Sequence, residues 1–483
     1  MSGAAAAPVT EAEFAALMAP LGPFGAAPRI AAGVSGGPHS LALALLADRW
    51  ARARGGTLLA LVVDHGLRPE SAAEAQGVAA LLAGRGIGAR VLRLGLAPGG
   101  TRLQERARAA RMAALLGACR EAGAPWLLLG HHRGDQAETL LFRALRGSGT
   151  AGLAGMAPVR AAAEALVLRP LLGVAPARLE AVVAAAGLAP VRDPSNADGR
   201  FARVRLRAAL GDPGGTGAAT AALAAAAAAF AARRAAAEAA MADRLAAAAA
   251  VRPEGFAWLD PAALGRDAVA EAALGELVRL IGGAAFAPGR EAVRRLAARL
   301  GEGAARGGAT LAGVRLQVMP EAGQGSARRV LLVREAAAAR RAAAVPAVPG
   351  AVWDGRFRVG RSGGAPPPGD GAPSAPARPG WHIAALGGAE DGAVPAGLRR
   401  TLRRAATRRG VPGLALAGLP AVRDERGRLV AVPALGYPEA GGAAGLVLDF
   451  APAGGPLAAW APPPGGGAER PADGVAPAGA QGL

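Results

Sequence analysis

Residues 30–45, IAAGVSGGPHSLALAL, constrain this chain more than any other stretch. A short apolar run meets a Ser-Gly-Gly turn, and a Leu/Ala-rich helical pattern follows at once. Ser35, Gly36 and Gly37 let the backbone turn tightly, so that its N–H groups can surround an anion where the helix begins. A helix N-terminus carries partial positive charge and unpaired donors, which makes phosphate the natural guest. The spacing is not that of a Walker loop. The chain contains no lysine, so the phosphate-binding lysine of that motif has no counterpart.

The same texture recurs downstream. Residues 57–71, TLLALVVDHGLRPES, form an apolar run that ends in Asp64, His65 and Gly66, as a buried parallel strand ends on a polar edge. The pattern then predicts a helix over 72–85, a strand over 90–94, a helix over 103–122 and a strand over 126–130. That last strand runs straight into HHRGDQAETLLFRAL. Such alternation predicts an α/β fold with a doubly wound parallel sheet, and ligands on these sheets bind beyond the carboxyl ends of the strands. SGGPHS, DHG and HHRGD all fall at such ends. GSGTAG, at 147–152, fits the dinucleotide-binding pattern but follows a helix rather than a strand, so it reads as a helix end and loop.

Charge and cysteine content narrow the function classes. Fifty-five basic residues stand against 36 acidic ones, a net charge of +19, and such a field favours a polyanion, nucleic acid first. The single cysteine, Cys119, excludes a disulfide framework and any CxxC metal or redox site, and five scattered histidines exclude a zinc finger. No stretch combines length with large apolar side chains, so the reading is a soluble, cytoplasmic protein without a membrane span.

The organisation read from the sequence is an N-terminal extension (1–27), a sheet domain (28–212), a mainly helical domain (213–335) and a linker (336–349). A small α+β domain (350–450) and a disordered tail (451–483) complete it. Two basic clusters stand out. One is DPSNADGRFARVRLR, turn chemistry followed by Arg200, Arg203, Arg205 and Arg207, read either as a solvated linker or as a phosphate-facing arm. The other places Arg399, Arg400, Arg403, Arg404, Arg408 and Arg409 on one helix without an intervening acid, a face suited to a phosphate backbone.

SGGxxS at a strand–helix junction resembles the pyrophosphate (PP) loop of the N-type ATP pyrophosphatases, whose pattern is SGGxDS; His39 stands here where that Asp belongs. Together with VDHGLRPES, ARAARM, GHHRGDQAETLLFRALRGSG, RPLL and DPSNADGRFARVRLR, the chain resembles the tRNA(Ile)-lysidine synthetase family over roughly residues 28–450. The resemblance implies adenylation, at the expense of ATP, of the C2 oxygen of the wobble cytidine in a CAU anticodon. Free L-lysine then displaces AMP through its ε-amine. It implies Mg²⁺, tRNA(Ile) as partner, and often a dimer. It implies ATP contacts from Ser35, Gly36, Gly37, Pro38, His39, Ser40, Val63, Asp64 and His65. Asp135, His132 and Arg111 would be catalytic, with Asp135 a Mg²⁺ ligand or the group that orients the lysine amine. His131, Glu138, Arg108, Asp193 and Asn196 would border them. Arg203, Arg205 and Arg207 and the Arg399–Arg408 face would meet tRNA. A further departure is Met112 where the family has Tyr. Two alternatives accompany this reading: an impaired, tRNA-binding relative, for which His39 speaks, and a related tRNA-modifying enzyme such as a sulfur-transferring thiolase, against which the lone Cys119 speaks.

Overall fold

The computed structural model describes residues 6–66, 70–95, 103–162, 164–191, 202–301, 308–319, 329–361, 380–387, 394–438 and 446–452. Asp193 and Asn196 lie outside the described residues, as does the side chain of Arg203. The chain divides into two compact units, Met1–Ala237 and Glu238–Leu483.

The first unit opens with α1 (Glu11–Met18). Its start is fixed by a capping box: Thr10 Oγ1 accepts from the Glu13 N–H at 3.2 Å and the Glu13 carboxylate accepts from the Thr10 N–H at 2.9 Å. Then follow β1 (Arg29–Val34), α2 (Pro38–Arg52), β2 (Thr57–Asp64), α3 (Ser71–Ala83), β3 (Gly88–Arg93), α4 (Leu103–Glu121), β4 (Trp126–Leu129) and α5 (Arg133–Leu145). After α6 (Thr150–Leu153) come β5 (Val159–Ala161), β6 (Leu166–Leu168), α7 (Pro176–Ala185), α8 (Ala202–Leu210) and α9 (Ala218–Ala248). The sheet order is β3-β2-β1-β4-β6-β5, parallel throughout except for β5. The doubly wound sheet expected from the alternation is therefore present.

Strand alternation divides the core between the two faces of this sheet. Ile30, Ala32 and Val34 of β1 pack with Leu41 and Leu45 of α2 and with Leu179 and Val183 of α7. Ala31, on the other face, packs with Leu115, Ala118 and Cys119 of α4. A buried Leu of this kind contributes about 2 kcal/mol. With helices on both faces, only the strand ends remain open to a ligand.

The second unit takes in the end of α9, then β7 (Ala249–Val251), β8 (Ala257–Leu259), α10 (Pro261–Leu264), α11 (Ala268–Gly282), α12 (Arg290–Gly301), β9 (Ala309–Leu311), β10 (Val314–Val318) and β11 (Val330–Arg334). It continues through α13 (Ala336–Arg341), β12 (Val345–Pro346), β13 (Val352–Trp353), β14 (Phe357–Arg361), β15 (His382–Ala385), α14 (Ala396–Arg408), β16 (Pro420–Arg423), β17 (Leu429–Ala431) and β18 (Leu446–Phe450). The stretch read as mainly helical also holds an antiparallel sheet, β7-β8-β11-β10-β9. Its β10 and β11 coincide with residues 309–333, where the sequence itself reads as a strand pair, whereas β7 and β8 are three residues each, too short to announce themselves by alternation. The stretch read as a linker carries α13 and β12, and its Ala338, Ala339 and Ala347 are buried, because small side chains let these segments pack closely. Two smaller antiparallel sheets, β12-β15-β16-β17 and β13-β14-β18, complete the unit.

Candidate functional site

The turn from β1 to α2 is built by what its glycines permit. Gly36 sits at φ +82°, and a Cβ there would come within 2.6 Å of Val78 and 3.2 Å of Val191. Its carbonyl accepts from the Val191 N–H at 2.9 Å, which holds the loop from outside. Gly37 caps α2 and Pro38 opens it, with no side chain capping the first turn. Ser40 Oγ donates to the Gly37 carbonyl at 2.9 Å and accepts from the Ser35 N–H at 3.2 Å; the two serine hydroxyls lie 3.3 Å apart. The result is a small cup of hydroxyls and amides at the positive end of a helix, the physical requirement for holding pyrophosphate.

Beside it, β2 ends on Asp64, whose carboxylate turns onto its own loop. Oδ1 accepts from the Gly66 N–H at 2.9 Å and from the Ser71 hydroxyl at 2.6 Å. These two bonds, Ser71 first, hold the Asp64 carboxyl below its ordinary range. Val63 and His65 flank it, both half-buried.

The end of β4 brings histidines and a carboxylate to the same edge. His132 caps α5, and its N–H donates to Asp135 Oδ2 at 2.9 Å, which fixes the carboxylate on the first turn. The same oxygen lies 3.5 Å from His132 Nε2. The His132 ring meets the His39 ring edge to face, with centroids 4.1 Å apart. His39 thus ties the phosphate loop to the β4–α5 turn, and its Nε2 lies 3.7 Å from a Glu180 oxygen on α7. Burial lowers His39 to about 4, with His132 adding to it; burial, then Arg207, lowers His132 to about 4 as well. Both rings are neutral at neutral pH, so the approach of His39 to Glu180 is not an ion pair there. His131 is likewise lowered to about 4, by burial first; Asp135 acts against the shift, and Arg169, Arg108 and Arg111 act with it.

Glu138, 3% exposed, accepts from Arg207 Nε at 2.7 Å. Burial opposes the Arg207 charge, but Glu138 outweighs it and lifts the guanidinium above its ordinary value. One arginine of the expected RNA row is therefore tied to Glu138 of α5, although Arg207, like Arg205, is exposed. Arg111 is half-buried, and burial, then Arg108, lowers it; Arg108 is exposed. On α14, Arg400, Arg403, Arg404 and Arg408 are exposed, away from the buried Leu402, Ala405 and Ala406, whereas Arg399, three residues before Leu402, is half-buried beside them and departs from the expected basic face. Among the described residues no group of three or more His, Cys, Asp or Glu is arranged to hold a metal. Asp64 and Asp135 suit instead a Mg²⁺ that shares its coordination with substrate phosphates, since Mg²⁺ commonly takes one or two carboxylates in such sites.

Comparison with known proteins agrees with this geometry. Residues 7–213 match the family model ATP_bind_3, described as a PP-loop domain. The tRNA(Ile)-lysidine synthase of Methylobacterium sp. (strain 4-46) is 45% identical over 282 residues, 57% of this chain and 78% of that protein. The chain belongs to the tRNA(Ile)-lysidine synthase family. The synthase of Novosphingobium aromaticivorans is 53% identical over 182 residues, 37% of this chain and 55% of the relative. That of Bradyrhizobium sp. (strain BTAi1) is 47% identical over 205 residues, 42% of this chain and 56% of the relative. The chain thus spans little more than half the length of these two relatives. Against the family loop pattern, His39 is the departure that the structure makes legible, since it fills the contact with His132. One residue at this edge escaped the sequence reading. Arg169, in the RPLL stretch, follows β6 at its carboxyl end and is 9% exposed. Its position after a short apolar run was the available signal.

Proposed function

We propose that this protein activates the wobble cytidine of a CAU-anticodon tRNA(Ile) with ATP and joins lysine to it. The observation that supports this reading most directly is the contact of His39 with His132, which sets the Asp135 turn against the phosphate loop. A single site then offers both a cradle for the leaving pyrophosphate and a carboxylate for the nucleophile.

In the first step the cytidine C2 oxygen attacks the α-phosphorus of ATP, and the bond to the β-phosphate oxygen breaks. Ser35, Gly36, Gly37 and Ser40 hold the pyrophosphate as its charge grows, through N–H and hydroxyl donors at the start of α2. Mg²⁺, when bound with ATP, would neutralise phosphate charge, and Asp135 would help to hold it. In the second step the ε-amine of free L-lysine attacks C2, and AMP leaves with the oxygen. The amine must be uncharged to attack, so a proton passes to a base, a role that Asp135 would take. The His132 N–H holds the Asp135 carboxylate on the first turn of α5. Arg111 would stabilise charge on the phosphate, and the exposed arginines of α14 would meet the tRNA backbone.

The sulfur-transferring alternative finds no support. Cys119 is buried in α4, and burial, then Glu164, pushes its thiol up to about 11, far from a nucleophile. The deciding test is AMP release from ATP with labelled lysine, using tRNA(Ile) with a CAU anticodon and the same tRNA with the wobble cytidine replaced. Lysine incorporation that requires the cytidine is the expected result. Tight tRNA binding without AMP release would mean that His39 has silenced the loop.

A further inference from the structure

Arg160 and Arg169 have no part in the reading above. Arg169 stands just beyond Leu168, the last residue of β6 paired in parallel with β4, and so on the same edge as the phosphate loop and Asp135. Its N–H donates to the Pro158 carbonyl and its Nη1 to the Ala157 carbonyl, both at 2.8 Å. Its buried Nε makes no hydrogen bond among the described residues. Burial lowers this guanidinium to about 10, and the charges acting on it, Arg160 and then Arg108, push the same way. Among the described residues no carboxylate offsets them.

The sheet explains why these cations gather. In the antiparallel β5–β6 pair, Arg160 lies opposite Val167, so it shares the face of Val167, and Arg169 follows the same alternation. Val167 packs under α4 with Leu115, Ala118 and Cys119. Arg108 and Arg111 precede Leu115 on α4 at helical spacing and extend that stripe toward the carboxyl edge. Four arginines from α4, β5 and the end of β6 thus converge on one face of one edge. Arg169 is the buried member of the four, and a buried cation with no counter-charge among the described residues costs several kcal/mol, so a core under no functional demand would carry an apolar side chain there.

We propose that Arg160 and Arg169, with Arg108 and Arg111 behind them, form a second phosphate subsite that grips the RNA backbone beside the cytidine to be modified. The inference rests on the function proposed above. RNA rather than ATP is the occupant because of reach. β6 and β5 lie two and three strands from β1, about 10 and about 14 Å across the sheet from the loop. A ligand that fills the loop and also reaches the exposed Arg160 on the edge strand is an extended polyanion.

The test uses the full chain, an anticodon stem-loop with a CAU anticodon, and the variants Arg160→Ala, Arg169→Gln and Arg169→Lys. Binding over a salt series should show a slope shallower by about one for each phosphate contact removed. KM for the stem-loop should rise roughly tenfold in Arg160→Ala and Arg169→Gln while KM for ATP stays put, an effect of the size expected for one lost charged contact. Arg169→Lys should recover the salt slope. A raised KM for ATP with an unchanged salt slope would place the arginines on the nucleotide and overturn the proposal. So would unchanged values throughout. Arg160 is exposed, so its variant reads the subsite even where an Arg169 variant misfolds. If the unaltered protein releases no AMP yet its salt slope depends on Arg160, the catalytic reading fails and the subsite stands.

Discussion

Arg356 and Arg169 are both buried arginines pushed down to about 10, chiefly by burial, yet the protein treats them in opposite ways. Arg356, in the second unit, is 1% exposed, and its Nε donates to Asp354 at 2.8 Å and its Nη2 to the Gly418 carbonyl at 2.9 Å. Asp354 also takes two bonds from Arg334, at 2.8 and 3.0 Å, and the Arg356 guanidinium lies 5.1 Å from the Phe357 ring centroid. Arg169, in the first unit, has two carbonyl contacts, and among the described residues the charges acting on it are those of Arg160 and Arg108. Burial lowers both guanidiniums, Arg356 against the pull of Asp354 and Arg169 with the push of Arg160 and Arg108. Where the fold itself supplies the counter-charge, the arginine is structure; where it does not, the counter-charge is left to a ligand.

That contrast can be broken or sharpened by variants that separate function from stability. The largest effect should come from Asp135→Asn, which keeps the acceptor for the His132 N–H but removes the charge. AMP release should fall by roughly 10²–10⁴-fold with the melting temperature unchanged, and a smaller loss would remove Asp135 from the chemistry. Asp354→Asn should do the reverse. Asn tolerates the positive φ of +52° at this position, yet it leaves Arg334 and Arg356 without an acid. Urea denaturation should show a loss of about 3–5 kcal/mol. A loss below about 1 kcal/mol would mean that the network is not the stabilising device described here.

Gly36→Ala should cost about 1–3 kcal/mol and abolish nucleotide binding, because a side chain at φ +82° is strained and meets Val78. Calorimetry with ATP reads both effects, and normal ATP affinity would show that the cup is not needed.

A pH shift needs no substitution. His39, His131 and His132 fall from 6.5 to about 4 in the folded protein, so they stay neutral while the unfolded chain takes up protons. Stability is therefore full above about 6.5 and is lost progressively as pH falls toward 4. Between pH 7 and 6 the loss should be under about 1 kcal/mol per histidine, read by denaturant unfolding, and a stability that rises on acidification would contradict the burial of these rings. Smallest of all should be the stability change in Arg169→Met, which removes an unpaired charge: none, or a gain of about 1 kcal/mol, while RNA binding weakens. A loss of more than about 2 kcal/mol would make Arg169 a structural arginine like Arg356.

The first unit was the more legible in sequence. Its strands are apolar runs bounded by glycine turns, and its polar motifs fall where the strands stop. Both are short-range signals, set by the two-residue and 3.6-residue periods of the backbone. The loop residues Ser35, Gly36, Gly37 and Ser40 and the Asp135 turn were readable for that reason. The second unit was less so, because the Ala-rich end of α9 runs directly into β7 and neither carries a period that tells helix from strand.

By itself, then, the sequence determined a doubly wound sheet, a phosphate-binding turn on its open edge, and a basic surface suited to RNA. Only the tertiary structure decided which charges are already spoken for. Arg207 meets Glu138, 69 residues away, and the His39 ring meets His132 across two loops. Asp354 neutralises Arg356 from within, while Arg169 has no carboxylate partner among the described residues. Such pairings depend on distance in space, which falls off over a few ångströms and which spacing along the chain does not record.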